Sequence, residues 1–189
     1  MTLLVALLLL ADTQQGPQPA TAQRFEQVAK QAAQAREQGH PGEAERLYRE
    51  GVRLHPNWGE GWWYLGRLFY DQNSYEDCRS AFRRFTEIEP NVASGWAALG
   101  LCEYGTKSYD AARAHLERAR SLGLEGNPLL QAITLYHAAL LLTQSGEFEA
   151  ALGILMRLAE PGPRYPSLGR SGGYRQPAQR ATAQRTSTC

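Results

Sequence analysis

Five pairs of identical residues in the middle of this chain are separated by the same interval of 34 residues. The pairs are Pro56 and Pro90, Trp62 and Trp96, Leu65 and Leu99, Gly66 and Gly100, and Tyr75 and Tyr109. A fixed interval of this length indicates stacked supersecondary units, each of which buries its apolar face against its neighbours. The chain is therefore predicted to consist of repeated units.

The composition favours helices over strands. Ala and Leu together number 51, whereas Val and Ile number 7, and strands depend on β-branched residues to fill their pleated faces. Proline breaks helix interiors, and none occurs in 57–89, 91–127 or 129–160. We therefore predict an all-α protein and exclude a β-sandwich or barrel. The predicted helices are 24–38, 42–54, 59–72, 75–88, 93–106, 109–122, 128–145 and 148–160.

The spacing resembles the tetratricopeptide repeat family, in which Trp, Leu-Gly, Tyr, Ala, Phe, Ala and Pro stand at fixed offsets. The unit 59–92 fits best, with Trp62, Leu65, Gly66, Phe69, Cys78, Phe82, Phe85 and Pro90 at those offsets. Partial matches are 25–58, 93–126 and 132–163. The resemblance implies a right-handed superhelical stack of about four antiparallel helix hairpins, forming one domain over 23–163.

The interval stretches to 39 residues between Tyr109 and Phe148. We assign the extra residues to a longer loop and an added first turn, because Asn127-Pro128 is a helix cap followed by proline at the first helical position.

Small residues are expected where the two helices of a hairpin cross closely. The predicted facing pairs are Ala32 with Ala44, Gly66 with Cys78, Gly100 with Ala112, and Ala139 with Ala151. The larger side chains are predicted to fill the gaps between consecutive hairpins; they are Trp62, Phe82, Trp96, Leu116 and Leu155.

The resemblance also implies a concave groove lined mainly by the first helix of each hairpin. The groove offsets carry the predicted peptide-binding residues Arg36, Trp63, Arg67, Tyr70, Asp71, Leu101, Tyr104 and Tyr136. Aromatic rings and Arg are common anchors of protein interfaces, so Trp63, Arg67, Tyr70 and Tyr104 are the predicted core of the groove. The alternative is that Trp63 or Tyr104 packs between hairpins.

No catalytic, metal or cofactor site is predicted. The four His residues lack the spacing of metal ligands. The segment 169–173 matches a Gly-x-Ser-x-Gly pattern, but neither a strand nor a helix flanks it. Cys78 and Cys102 fall at inward offsets and are expected to be buried free thiols. Among family members that clamp a terminal carboxylate, Lys and Asn do the binding, and this chain has Ala29, Ala33, Trp63 and Arg67 at comparable offsets.

Both ends differ from the repeats. Residues 1–22 are predicted to be a signal peptide, because the apolar run 3–11 precedes the small-x-small site Ala20-Thr21-Ala22. The run lacks a positively charged start, so a disordered leader or a misassigned start is the alternative. The Arg-, Gly- and Gln-rich tail 164–189 is predicted to be disordered. No transmembrane span is predicted in the mature chain.

Together these features predict a non-catalytic scaffold that binds a protein or peptide segment and assists complex assembly. Export to the periplasm or extracellular space is expected, with the cytoplasm as the alternative. A net charge of +1 disfavours nucleic acid as a ligand. Two other functions stay open. The chain is a fragment of a longer repeat-containing enzyme or sensor, or it self-associates through the last hairpin, where Leu140-Leu141-Leu142 cannot all face inward.

Overall fold

The computed structural model describes residues 19–124 and 126–159, and these residues form eight α-helices and no strand. The helices are α1 (Pro19–Glu37), α2 (Pro41–Leu54), α3 (Gly59–Asp71), α4 (Tyr75–Ile88), α5 (Ala93–Gly105), α6 (Tyr109–Leu122), α7 (Pro128–Gln144) and α8 (Phe148–Ala159). The prediction of an all-α protein built of helix hairpins is confirmed. None of the described helices combines the length and apolarity needed to cross a membrane.

The predicted helix boundaries agree with the structure to within one residue, except at the start of α1. This helix begins at Pro19 rather than at residue 24, so it includes the predicted peptidase site at 20–22. Most of the predicted leader and all of the tail 164–189 lie outside the described residues.

The four hairpins are closed by turns of one kind. The first residues with positive φ in these turns are Gly39, Asn73, Lys107 and Gly146, with φ between 58° and 80°. After each of them, the next backbone N–H donates to the carbonyl five residues earlier; examples are Ser74 to Phe69 and Ser108 to Glu103, at 2.8 and 2.9 Å. This bond closes a helix end through a left-handed residue. The turns repeat at the same intervals of 34, 34 and 39 residues as the sequence pattern.

The chain divides into two compact units, of which the first ends at Trp58. In this unit α1 packs on α2 through Ala32 and Ala44, which are both fully buried. Tyr48 is also fully buried, and its ring packs against that of Trp58 at a centroid distance of 5.5 Å.

The second unit, which begins at Gly59, contains three hairpins from α3 to α8. Helix α5 packs on α4, and α7 packs on α6 and α5. The rings of Phe85 on α4 and the backbone of Gly95 on α5 lie so close that a side chain at Gly95 would overlap the ring. Glycine therefore permits the close stacking of α5 on α4.

Two of the predicted small-residue contacts take a different form. The atoms nearest to a Cβ built on Gly66 belong to Phe82, at 2.6 Å, and not to Cys78. At Gly100 the nearest atoms belong to Leu116, at 2.8 Å, followed by the carbonyl oxygen of Ala112 at 3.1 Å. Phe82 and Leu116 thus fill space inside their own hairpins, where the sequence had placed them between hairpins.

The fourth hairpin carries its small-residue contact as predicted, since Ala139 and Ala151 share one buried cluster. Its first helix starts with the predicted cap. The side chain of Asn127 accepts a hydrogen bond from the backbone N–H of Leu130 at 3.1 Å, and Pro128 follows the cap.

The Leu140-Leu141-Leu142 run is not exposed, contrary to expectation. Leu141 is 4% exposed and packs with Leu101, Ala112 and Leu116 of the preceding hairpin. Leu142 packs against the Ala139 and Ala151 cluster of its own hairpin. Because α7 lies between α6 and α8, consecutive leucines on different sides of the helix each find a partner.

Cys78 and Cys102 form a disulfide bond, so the prediction of two free thiols is wrong. Their Cα atoms are 5.8 Å apart, and both residues are fully buried. Cys78 lies on α4 and Cys102 on α5, so the bond joins the second hairpin to the third.

Candidate functional site

Two pairs of tyrosines are stacked in the same way one repeat apart. Tyr70 at the end of α3 contacts Tyr75 at the start of α4, with ring centroids 5.9 Å apart. Tyr104 on α5 contacts Tyr109 on α6 at 5.6 Å. In both hairpins the two rings pack across the turn that joins the helices.

A histidine continues this arrangement onto the fourth hairpin. His137 on α7 contacts Tyr104 edge-on at 4.9 Å and Tyr136 at 5.5 Å. The Nδ1 atom of His137 lies 2.8 Å from the carbonyl oxygen of Ile133, which fixes the orientation of the imidazole ring.

Gly105 connects the two tyrosine pairs. The ring of Tyr75 lies directly against Gly105, in the space that a side chain there would fill. Gly105 follows Tyr104 in the chain, so the rings of the second and third hairpins are neighbours. We call the connected set the aromatic strip; it consists of Tyr70, Tyr75, Tyr104, Tyr109, Tyr136 and His137.

The aromatic strip is partly open to solvent. Tyr70, Tyr109 and Tyr136 are 38%, 37% and 49% exposed. Each presents an apolar ring with a polar hydroxyl group, a combination that suits a surface for another polypeptide.

Charged groups lie beside the strip on α3. Arg67 and Asp71 are both exposed and lie four residues apart, on the face of α3 that also carries Tyr70. Partial burial, together with the nearby Tyr75 hydroxyl and the Asp71 carboxylate, raises the pKa of Tyr70 above its ordinary value. Tyr70 is therefore a hydrogen-bond donor throughout the neutral range.

Two predicted groove residues face inward instead. Trp63 packs its ring against Phe82 and Phe85 of α4, at centroid distances of 5.4 and 5.1 Å. Leu101 is only 8% exposed and belongs to a core cluster with Leu141. For Trp63 this is the alternative of internal packing, and Leu101 is a correction to the predicted groove.

Arg36 belongs to the first unit and is not grouped with the strip. Its guanidinium donates to the Tyr48 hydroxyl at 3.4 Å and pairs with the Glu37 carboxylate at 3.4 Å. The structure therefore brings together Arg67, Tyr70, Asp71, Tyr104 and Tyr136 of the predicted residues.

Three members of the strip were missed by the sequence analysis. Tyr75 and Tyr109 served only to measure the repeat interval, and His137 was considered only as a metal ligand. A signal was available, because each of these tyrosines follows a groove tyrosine by five residues, the distance that spans the turn.

A buried carboxylate was also missed. Glu103 on α5 is 1% exposed, and its Oε2 lies 2.6 Å from Nδ1 of His115 on α6. Its Oε1 is 4.0 Å from the Arg83 guanidinium on α4. Phe69 is the equivalent residue of the second hairpin, so a charged group here replaces an aromatic one. Since the charge is buried and paired, we assign it a structural role.

Nowhere in the described ranges do three or more His, Cys, Asp or Glu residues meet in a way that could hold a metal ion.

The hairpins, the turns and the exposed strip define a helical-repeat protein. The family profile of the tetratricopeptide repeat matches residues 29–91 and 66–124, which together span half of the chain. This protein belongs to the tetratricopeptide repeat family. No curated protein sequence matches it significantly.

Solved structures of the same fold resemble the chain at low sequence identity. MamA from Desulfovibrio magneticus RS-1 is 14% identical, with a TM-score of 0.61, covering 71% of this chain and 73% of MamA. The O-GlcNAc transferase of Thermobaculum terrenum is 18% identical, with a TM-score of 0.58, covering 75% of this chain and 27% of the enzyme. The first repeat domain of Spaghetti, bound to an HSP90 peptide, is 14% identical, with a TM-score of 0.50, covering 71% and 94%.

Proposed function

We propose that this protein is a non-catalytic scaffold that binds a peptide segment of another protein along the aromatic strip and so assists complex assembly. The observation that carries the proposal is the repeated tyrosine pair, Tyr70 with Tyr75 and Tyr104 with Tyr109, exposed on successive hairpins. A repeated recognition element suits an extended ligand, because such a ligand passes each hairpin in turn.

The chemistry of the strip indicates the kind of segment that binds. The rings offer apolar contact with hydroxyl groups at their edges, which accepts aliphatic or aromatic side chains and hydrogen-bonds to a peptide backbone. Arg67 and Asp71 at the α3 end supply one charge of each sign, so they select the charge pattern of the ligand without favouring a strongly charged one. The peptide seen on the first repeat domain of Spaghetti is a precedent for a peptide on this fold.

A selection from a random peptide library on the full chain tests the proposal. We expect selected peptides to bind in a fluorescence titration, and Tyr70→Ala or Tyr136→Ala to weaken binding by at least about fivefold, the effect of removing an anchor worth roughly 1 kcal/mol. Leu129→Ala is the matched control, since Leu129 is 45% exposed but outside the strip. Equal binding by all three variants, with unchanged helicity, would show that the strip is not the site.

We also propose that the protein works in an oxidising compartment, the periplasm or the extracellular space. The disulfide between Cys78 and Cys102 supports this, because such bonds persist in exported proteins and are rare in the reducing cytosol. The predicted leader supports the same location. Blocking free thiols in intact source cells, followed by mass measurement, should add label at Cys189 alone; labelling of all three cysteines contradicts the proposal.

A further inference from the structure

The outward face of α8 is apolar and open to solvent. Phe148, Leu152, Leu155 and Met156 are 65%, 52%, 39% and 62% exposed. Their spacing of four, seven and eight residues places them on one side of the helix. The opposite side buries Ala151 and Ile154 against α7, so α8 has two apolar faces and only one of them is covered.

The equivalent positions of the earlier hairpins carry charged side chains. One repeat interval before Leu152 and Met156 stand Arg113 and Glu117, and the next interval back gives Arg79 and Arg83. Apolar residues at both positions are a feature of the last hairpin alone among the four.

Those earlier side chains reach the hairpin that follows. Arg79 donates to the Ser108 hydroxyl at 3.5 Å, and Arg113 forms two hydrogen bonds with the Glu147 carboxylate, at 2.6 and 3.1 Å. The outward face of each second helix is therefore the surface on which another hairpin packs. On α8 the same surface has exchanged polar contacts for apolar ones.

The composition of the chain argues against its own remaining residues as the cover. Residues 160–189 contain Leu168 as their only large aliphatic residue, among several Pro and Gly. Helix α1, the first helix of the first unit, has a polar exposed side of Gln, Lys, Arg and Glu. Within the described residues, the surface that matches the aliphatic face of α8 is the α8 face itself.

We propose that two copies of this chain associate through their α8 helices, face to face about a two-fold axis. A two-fold interface joins identical surfaces, so an apolar face is its own complement. An antiparallel arrangement also brings the Glu149 carboxylate of each copy towards the Arg157 guanidinium of the other, because these residues lie on the same flank, on either side of Gly153. The contact uses the continuity of the hairpin stack and needs no change in the helices.

Sedimentation equilibrium of the full chain over a concentration series tests this assignment. We expect a dimer with a dissociation constant below roughly 100 µM. The double variant Leu152→Arg, Met156→Glu places on α8 the charged types found at these positions on α6. It should weaken the dimer at least about tenfold while helicity and melting temperature measured on the monomer stay unchanged.

Ala150→Arg is the matched control. It adds one charge to an exposed position of the same helix, on the side away from the apolar face, and should leave the dimer intact. A wild-type chain that stays monomeric up to millimolar concentration overturns the proposal. So does a dimer that the double variant leaves intact, or a monomer that floats with phospholipid vesicles through α8, which would assign the face to a lipid surface.

Discussion

The ring of Phe82 occupies the space that a side chain at Gly66 would need. A Cβ built on Gly66 lies 2.6 Å from Cε2 of Phe82 and 2.9 Å from Cζ, which is inside the distance at which carbon atoms pack. Leu116 stands in the same relation to Gly100 one repeat later. Glycine on the first helix and a large side chain on the second are therefore one packing unit.

Gly66→Ala should lower the free energy of unfolding by about 1–3 kcal/mol, because the buried ring of Phe82 cannot move without straining the core. Urea unfolding followed by circular dichroism measures the change. Gly153→Ala is the control, since Gly153 is in a helix with nothing within 4 Å of an added Cβ. It should raise stability by up to about 1 kcal/mol through helix propensity. A gain in both variants would contradict the packing.

Reduction of the Cys78–Cys102 bond should destabilise the second unit. The two residues are separated by 24 positions, and opening a loop of that length releases chain entropy worth about 3 kcal/mol. Thermal unfolding with and without reductant measures the shift in Tm. The double variant Cys78→Ala, Cys102→Ala should melt low in both conditions, and a wild-type Tm that ignores reductant under denaturing exposure of the bond would argue against it.

Glu103→Ala should destabilise the protein by about 3 kcal/mol, because it empties a buried position and leaves His115 and Arg83 without their shared carboxylate. Urea unfolding gives the value. Glu117→Ala removes a carboxylate from an exposed pair with Arg120 and should change stability by less than about 1 kcal/mol. Similar losses in the two variants would show that burial of Glu103 has no special weight.

The Glu147 carboxylate should titrate below the ordinary glutamate range. Hydrogen bonds from Arg113 and then from Ser145 lower the pKa of Glu147. A lowered folded-state pKa means that the stabilisation is present above the unfolded-state pKa and is lost as the pH falls through the folded-state pKa. NMR titration of the side-chain carboxyl measures this, and Arg113→Ala should move the pKa upward. A titration curve unaffected by that substitution would contradict the pairing.

The sequence predicted the helices well because their signals are local. Gly66, Pro90 and the turn residues such as Asn73 act through their own backbone conformation, and the 34-residue interval repeats them. The internal pairings of Cys78, Trp63 and Glu103 depend instead on how each helix is rotated against the next. An offset within a repeat gives the position of a residue along its helix. It does not settle whether a side chain such as that of Trp63 turns to the groove or to Phe82.

The strip shows the same limit. Tyr70 and Tyr104 were identified from their offsets, whereas His137 became a neighbour of Tyr104 only through the stacking of α7 on α5. Leu101 was predicted at the surface because the shorter spacing of earlier hairpins gives no warning of the longer α7, which covers it.

The hydrogen-bonded turns at Gly39, Asn73, Lys107 and Gly146 have an evolutionary consequence. Each turn is closed by bonds within its own hairpin, so a whole hairpin is the piece that can be duplicated, lost or exchanged while its neighbours keep their form. The longer interval before Gly146 agrees with this. Its extra residues were accepted at the junction ahead of α7, outside any hairpin turn, and that junction is where this lineage has had freedom to grow.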